Sequence, residues 1–187
     1  MNFLAAKQPI GHGHAAPSDD FLRTLVGWAE REPDALFAPN DHLGDRDIYN
    51  RLALILGPWT SIQHRRAAAC EFLRVLAGDE SDWDWKAGRD TTAGAESPEQ
   101  MEAGAFQVSY DSIHLGNDLI IFLDANGIFD AADFQARIKT DPVFDLRYTF
   151  RLCRDATRWD GPINRGWVTS QVNRQAVAEF LTALAQP

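Results

Sequence analysis

Apolar residues in this chain recur at three- and four-residue spacings in segment after segment, and strict alternation is scarce, which commits most of the backbone to helices. Phe21, Leu22, Leu25 and Trp28 make one apolar face, and Ser18 stands where a helix N-cap is needed, so a helix is predicted through about Glu30. A second is predicted from about Asp47 to Leu56, stopped by Gly57-Pro58. Thr60 or Ser61 caps a third, running to Ala77 or Glu80 with Ile62, Ala69, Phe72, Leu73 and Leu76 inward. On that helix His64, Arg65 and Arg66 are expected to face water. Further helices are predicted at about 107–114, 117–124, 130–139 and 142–157, the last with Asp141 as cap and Pro142 at its first position. Ser170 is expected to open a final helix carrying Val177, Phe180, Leu181 and Leu184. Residues 81–103 read as a long polar loop with room for a short β-hairpin. The fold class is therefore mainly α.

A chain of 187 residues, 45% of them hydrophobic, can bury one substantial core and is short for two. We expect an irregular N-terminal arm over residues 1–17 and a single domain over 18–187. The net charge of -9 repels phosphate backbones, so nucleic acid is not an expected partner. The longest apolar run, about Leu119 to Leu123, falls far short of the roughly 20 residues of a membrane helix. Residues 1–17 hold no basic cluster followed by an apolar stretch, so synthesis in the cytoplasm is expected. Action elsewhere would then call for a dedicated export machine or release by lysis. Cys70 and Cys153 are too few for a cysteine-rich zinc site, and whether they pair is left open. His12-Gly-His14 and Asp124-Ala-Asn126-Gly127 fit no metal-binding pattern well enough to assign one, the latter reading as a helix C-cap. Phosphate-binding loops, nucleophile elbows and zinc-protease motifs are absent from the sequence, so neither a metal nor a cofactor is expected.

The residue that suggests chemistry is Glu80. It continues the inward stripe of Leu73 and Leu76, an unusual place for a carboxylate unless it is paired or working. The negative end of the helix dipole, together with water exclusion by Trp83 and Trp85, would favour its neutral form. A glutamic acid still protonated near neutral pH can protonate the leaving oxygen of a glycosidic bond. After the loop comes Glu102-Ala-Gly-Ala-Phe-Gln107-Val-Ser109-Tyr110, where small residues permit close backbone approach and polar groups suit a sugar. Glu102, Gln107, Ser109 and Tyr110 are the candidate binding residues there, with Trp83 beside the acid.

Together, Glu80-Ser81 and Gly104-Ala-Phe-Gln107-Val-Ser109 resemble the lysozyme-like superfamily of soluble lytic transglycosylases and goose-type lysozymes. In that superfamily a Glu-Ser pair closes a buried helix, and a Gly-x-x-Gln segment follows after a loop and opens the next helix. The resemblance covers roughly residues 62–116 and implies a lysozyme-like helical domain with Glu80 as catalytic acid and Gln107 in the cleft. It departs at Asp82, where transglycosylases usually have Gly, and in lacking their late Ala-Tyr-Asn-Ala-Gly segment. The nearest counterpart, Arg158 to Arg165, would bring Trp159 against a sugar face. For a second carboxylate, Asp90 resembles the water-positioning aspartates of goose-type enzymes and ranks ahead of Asp84, Glu102 and Asp111. Without one, the substrate's N-acetyl group or C6 hydroxyl would act instead, the latter leaving a 1,6-anhydro sugar. The resemblance thus implies an enzyme cleaving the β-1,4-linked glycan strands of peptidoglycan, as an antibacterial effector exported by a dedicated route such as type VI secretion, or a phage-type lysis enzyme. A periplasmic immunity protein would be its natural protein partner. The alternatives are a non-catalytic saccharide- or protein-binding module on the same frame, and an enzyme acting on chitin or chitosan.

Overall fold

The computed structural model describes residues 2–10, 15–39, 47–88, 97–155 and 166–186, and in these the chain is mainly helical with one two-stranded antiparallel sheet. The helices are α1 (Asp19–Arg31), α2 (Ile48–Leu56), α3 (Ile62–Ser81), α4 (Asn117–Ala125), α5 (Ala131–Thr140), α6 (Pro142–Asp155) and α7 (Arg174–Leu184). The strands are β1 (Glu102–Ala103) and β2 (Val108–Ser109), paired Glu102 to Ser109 and Ala103 to Val108. Local chemistry accounts for most helix starts. Ser18, Asp47, Ser61, Asp130 and Asn173 each accept a hydrogen bond from a first-turn N–H, and Asp141 accepts from both Val143 and Phe144.

α3 is the axis of the fold. From Arg66 to Gly78 every residue is buried, enclosed chiefly by α1 and α7. A helix covered on all sides must satisfy its polar side chains internally. Arg66 is therefore not at the surface as expected. Its guanidinium donates to the carbonyls of Ala29 and Glu32 and to Asp34, supplying donors that the C-terminal end of α1 lacks. Glu71 and Arg74, both fully buried, form a two-point ion pair at 2.7 and 2.9 Å. Arg74 also reaches the Gln8 carbonyl, and Glu71 accepts the Asn173 N–H at the start of α7.

Residues 2–10 are irregular, as expected of an arm, but they are packed. Phe3, Ala6 and Ile10 are buried, and the Glu179 carboxylate on α7 accepts the N–H groups of Leu4, Ala5 and Ala6. On the other side, Phe122 (α4), Phe134 (α5) and Phe144 and Tyr148 (α6) interlock as an aromatic cluster. α6 joins both halves, because its Phe150 also packs on Trp28 and Phe37. Both cysteines are buried free thiols, Cys70 donating weakly to the Leu25 carbonyl. Among the described residues no helix is long and apolar enough to cross a membrane.

Two helix predictions shift. The helix expected over 107–114 is β2 followed by a 3-10 turn from Tyr110 to Leu115, and α7 begins four residues after Ser170, behind Asn173. Asn126 ends α4 with Gly127 in the left-handed region, the C-cap expected there.

Candidate active site

α3 ends in two successive left-handed residues, Asp82 (φ 54°) and Trp83 (φ 64°), whose N–H groups return to the carbonyls of Gly78 and Ala77. This reversal turns Trp83 back beneath the helix. Its indole N–H donates to the Arg74 carbonyl at 2.8 Å, and its ring lies so close to Gly78 that any Cβ there would meet it at 2.6 Å. Trp83 thus serves the core, 6% exposed, and is absent from the cavity lining, contrary to the expected role beside the acid. Trp85 stacks on Phe21 and meets Phe106 edge-on.

Glu80 sits half-buried in the last turn of α3 and lines a cavity of about 400 Å³. That volume lies within the range of about 300–1,000 Å³ usual for small-molecule sites. Glu102 of β1, Gln107 of the hairpin turn and Ser109 of β2 line the same cavity, so four of the expected site residues meet there. Asp111, one of the alternative carboxylates, joins them, along with Ser112 and His114 from the 3-10 turn. Phe106, Val108, Leu115 and Leu152 supply apolar wall. Tyr110 is not part of that lining. The 3-10 turn directs its ring toward α5, edge-on to Phe134 at 5.8 Å. Asp84 is exposed and caps a local turn through the Lys86 N–H. Asp90 and Trp159 lie outside the described residues. Ser112, His114 and Leu152 escaped sequence reasoning because a 3-10 turn and a helix distant in the chain bring them in, and no spacing along the sequence records that approach. Ser112 is held between the Ser109 carbonyl and the Tyr148 hydroxyl, and His114 stands 3.6 Å from Asp111.

The Gly104–Gln107 segment is a tight hairpin turn rather than a helix entry, with Gly104 (φ 77°) and Gln107 (φ 47°) both left-handed. Three bonds fix it. The Gly104 N–H donates to the Ala87 carbonyl (3.0 Å), the Ala105 N–H to Asp145 Oδ2 (3.0 Å), and the Ser81 hydroxyl to the Ala105 carbonyl (2.8 Å). Gln107 closes the turn by donating through its side chain to the Gly104 carbonyl. A Cβ on Gly104 would lie 2.2 Å from Ile138 Cγ2 and 2.6 Å from Asp145 Oδ2. Gly104→Ala is therefore expected to cost about 2–3 kcal/mol from the positive φ and the clash combined, read as a lowered urea midpoint. An unchanged midpoint would show that the turn sits elsewhere.

Electrostatics beneath the cavity follow from burial. Desolvation drives Asp145 well above its ordinary value near 3.8, opposed by the Ala105 N–H and Thr149 hydroxyl bonds. A carboxyl raised in the fold lends stability below its unfolded value and loses it as pH rises through the folded one. Asp145→Asn should then gain melting temperature relative to the wild type between pH 4 and pH 8. A constant difference across that range would contradict the assignment. Burial, with a smaller push from the Glu80 carboxylate, also holds the Cys153 thiol well up, so it is no nucleophile. Among the described residues no group of three or more His, Cys, Asp or Glu side chains could hold a metal ion. The cavity therefore offers acid–base chemistry from carboxyls on three separate segments, with amide and hydroxyl groups for a polar ligand.

Compared with protein-family models, curated proteins and solved structures, the chain matches none.

Proposed function

We propose that this cavity is the cleft of an enzyme that cleaves the β-1,4-linked glycan strands of peptidoglycan, with Glu80 as general acid. The observation that supports the reading is the meeting of two sequence signals. Glu80 at the end of α3 and Gln107 in the hairpin turn line one cavity, and the Ser81–Ala105 hydrogen bond joins the two segments that carry them. In the proposed reaction, Glu80 protonates the glycosidic oxygen as its bond to the anomeric carbon breaks. Gln107 and Ser109 hold hydroxyl or acetamido groups of the sugar. Either Glu102 or Asp111 takes the proton of the attacking hydroxyl group, which is water or the substrate's own C6 hydroxyl, the latter leaving a 1,6-anhydro end. Asp90 stays a candidate for the same role from outside the described residues.

On this reading the protein is an exported antibacterial effector or a lysis enzyme, and a partner that plugs the cavity would protect the producing cell. The direct test is digestion of purified peptidoglycan followed by mass spectrometry of the released fragments. Soluble muropeptides are expected, and their new ends identify both the bond cut and the group that ended the reaction. Absence of release would reject the proposal, and saccharide binding without turnover would replace it with a binding module.

A further inference from the structure

The buried carboxyls of this fold are not alike. Among the described residues Glu32, Asp47, Glu71 and Asp145 are all less than 5% exposed. Glu32 is met by Arg147 and Arg151, Asp47 by Arg154, and Glu71 by Arg74. Among the described residues Asp145 meets no cation. Its partners are the Ala105 N–H and, on its other oxygen, the Thr149 hydroxyl at 3.2 Å. An acid buried without a cation is costly, and a packed apolar residue on α6 would stabilise the core better. Its placement therefore calls for a purpose beyond packing.

That purpose lies in what it holds. The Ala105 peptide group is gripped on both sides, its N–H by Asp145 from α6 and its carbonyl by Ser81, the neighbour of Glu80. On either side of this grip stand Glu80 on α3 and, on the turn, Phe106 and Gln107, all of which line the cavity. Gly104 completes the arrangement, since its missing side chain is what lets Asp145 come so close to the turn.

Resting on the glycan-cleaving reading above, we infer that Asp145 is a positioning residue of the site: through the Ala105 N–H it sets the hairpin turn against the end of α3, and so sets Gln107 relative to Glu80. It touches no substrate. A turn displaced by an ångström would misalign the bound sugar with the acid while leaving most of the cavity surface for binding, so the loss falls on turnover.

The test compares Asp145→Ala, Asp145→Asn and Thr149→Val with the wild type, using peptidoglycan turnover and thermal melting. Asp145→Ala is expected to lower kcat at least tenfold with KM within threefold. Asp145→Asn, which keeps an acceptor for the Ala105 N–H, is expected to restore kcat to within threefold. Thr149→Val removes the other bond to the same carboxyl. It should lower the melting temperature yet keep kcat, a split that a purely structural role would not produce. Should Asp145→Ala fail to fold, Asp145→Ser takes its place, being too short to reach Ala105. Wild-type kcat in the Ala or Ser variant, failure of Asn to rescue, or kcat falling with melting temperature in Thr149→Val overturns the inference alone. No turnover by the wild-type protein overturns the glycan-cleaving reading and this inference with it.

Discussion

Glu80→Gln should abolish release of muropeptides while leaving the helical fold intact. A positioned general acid contributes about 10²–10⁴-fold, and an amide of the same shape cannot supply the proton. The change lies in the last turn of α3, beyond the buried stretch from Arg66 to Gly78 that anchors the helix, so circular dichroism and melting should stay close to wild type. Pairing this variant with Glu102→Gln and Asp111→Asn assigns the second role. The carboxyl that activates water should lose turnover on a comparable scale, whereas a sugar-binding carboxyl should mainly raise KM. If all three variants keep wild-type turnover, the cavity is not where the chemistry happens.

The largest loss of stability is expected from Arg74→Met. Arg74 and Glu71 are fully buried and share two short bonds, so removing the cation strands a carboxylate in the core. Such a break costs about 3–5 kcal/mol. At about 2–4 °C per kcal/mol for a domain of this size, the melting temperature should fall by about 6–20 °C. The pH dependence gives a second check. Burial already holds Glu71 above the ordinary carboxyl range against the pull of Arg74, so losing the arginine raises it further. A group raised in this way stabilises the fold below its unfolded value and ceases to do so at higher pH, so the variant's deficit should shrink toward pH 4. Replacing Glu71 by Met as well should recover most of the loss. The Asn173 N–H, which Glu71 accepts, would still lack its partner. A single variant as stable as wild type at pH 7 would mean that the pair does not hold the centre of the fold.

The helices were legible because their boundaries are written in local chemistry. Ser18, Asp47, Ser61 and Asp141 each declare a start, and the spacing of Val177, Phe180 and Leu184 declares a face. α7 starts later than Ser170 because the turn from Gly166 to Gln171 is followed by the buried Val172, an apolar residue where a helix capped by Ser170 would have its first turn. At the site, Glu80, Glu102, Gln107 and Ser109 were legible as residue types at a recognisable spacing. The fate of Trp83 was not. It depends on two consecutive left-handed residues, neither of them glycine, that only the crowded end of α3 enforces. Arg66 departs from its helical pattern for a related reason, since its position is set by the carbonyls at the end of another helix. In the sequence nothing sets Asp145 apart from any acid in a first helical turn, and only the hydrogen bond from the Ala105 N–H shows that it lies against the hairpin.

The grip of Glu179 on Leu4, Ala5 and Ala6 joins positions 173 to 175 residues apart. Such a contact closes a loop over nearly the whole chain, so opening either end is expected to release the other. Amide hydrogen exchange should then report one shared opening rate for Leu4 to Ala6 and for the part of α7 around Glu179, and Glu179→Gln should speed both together.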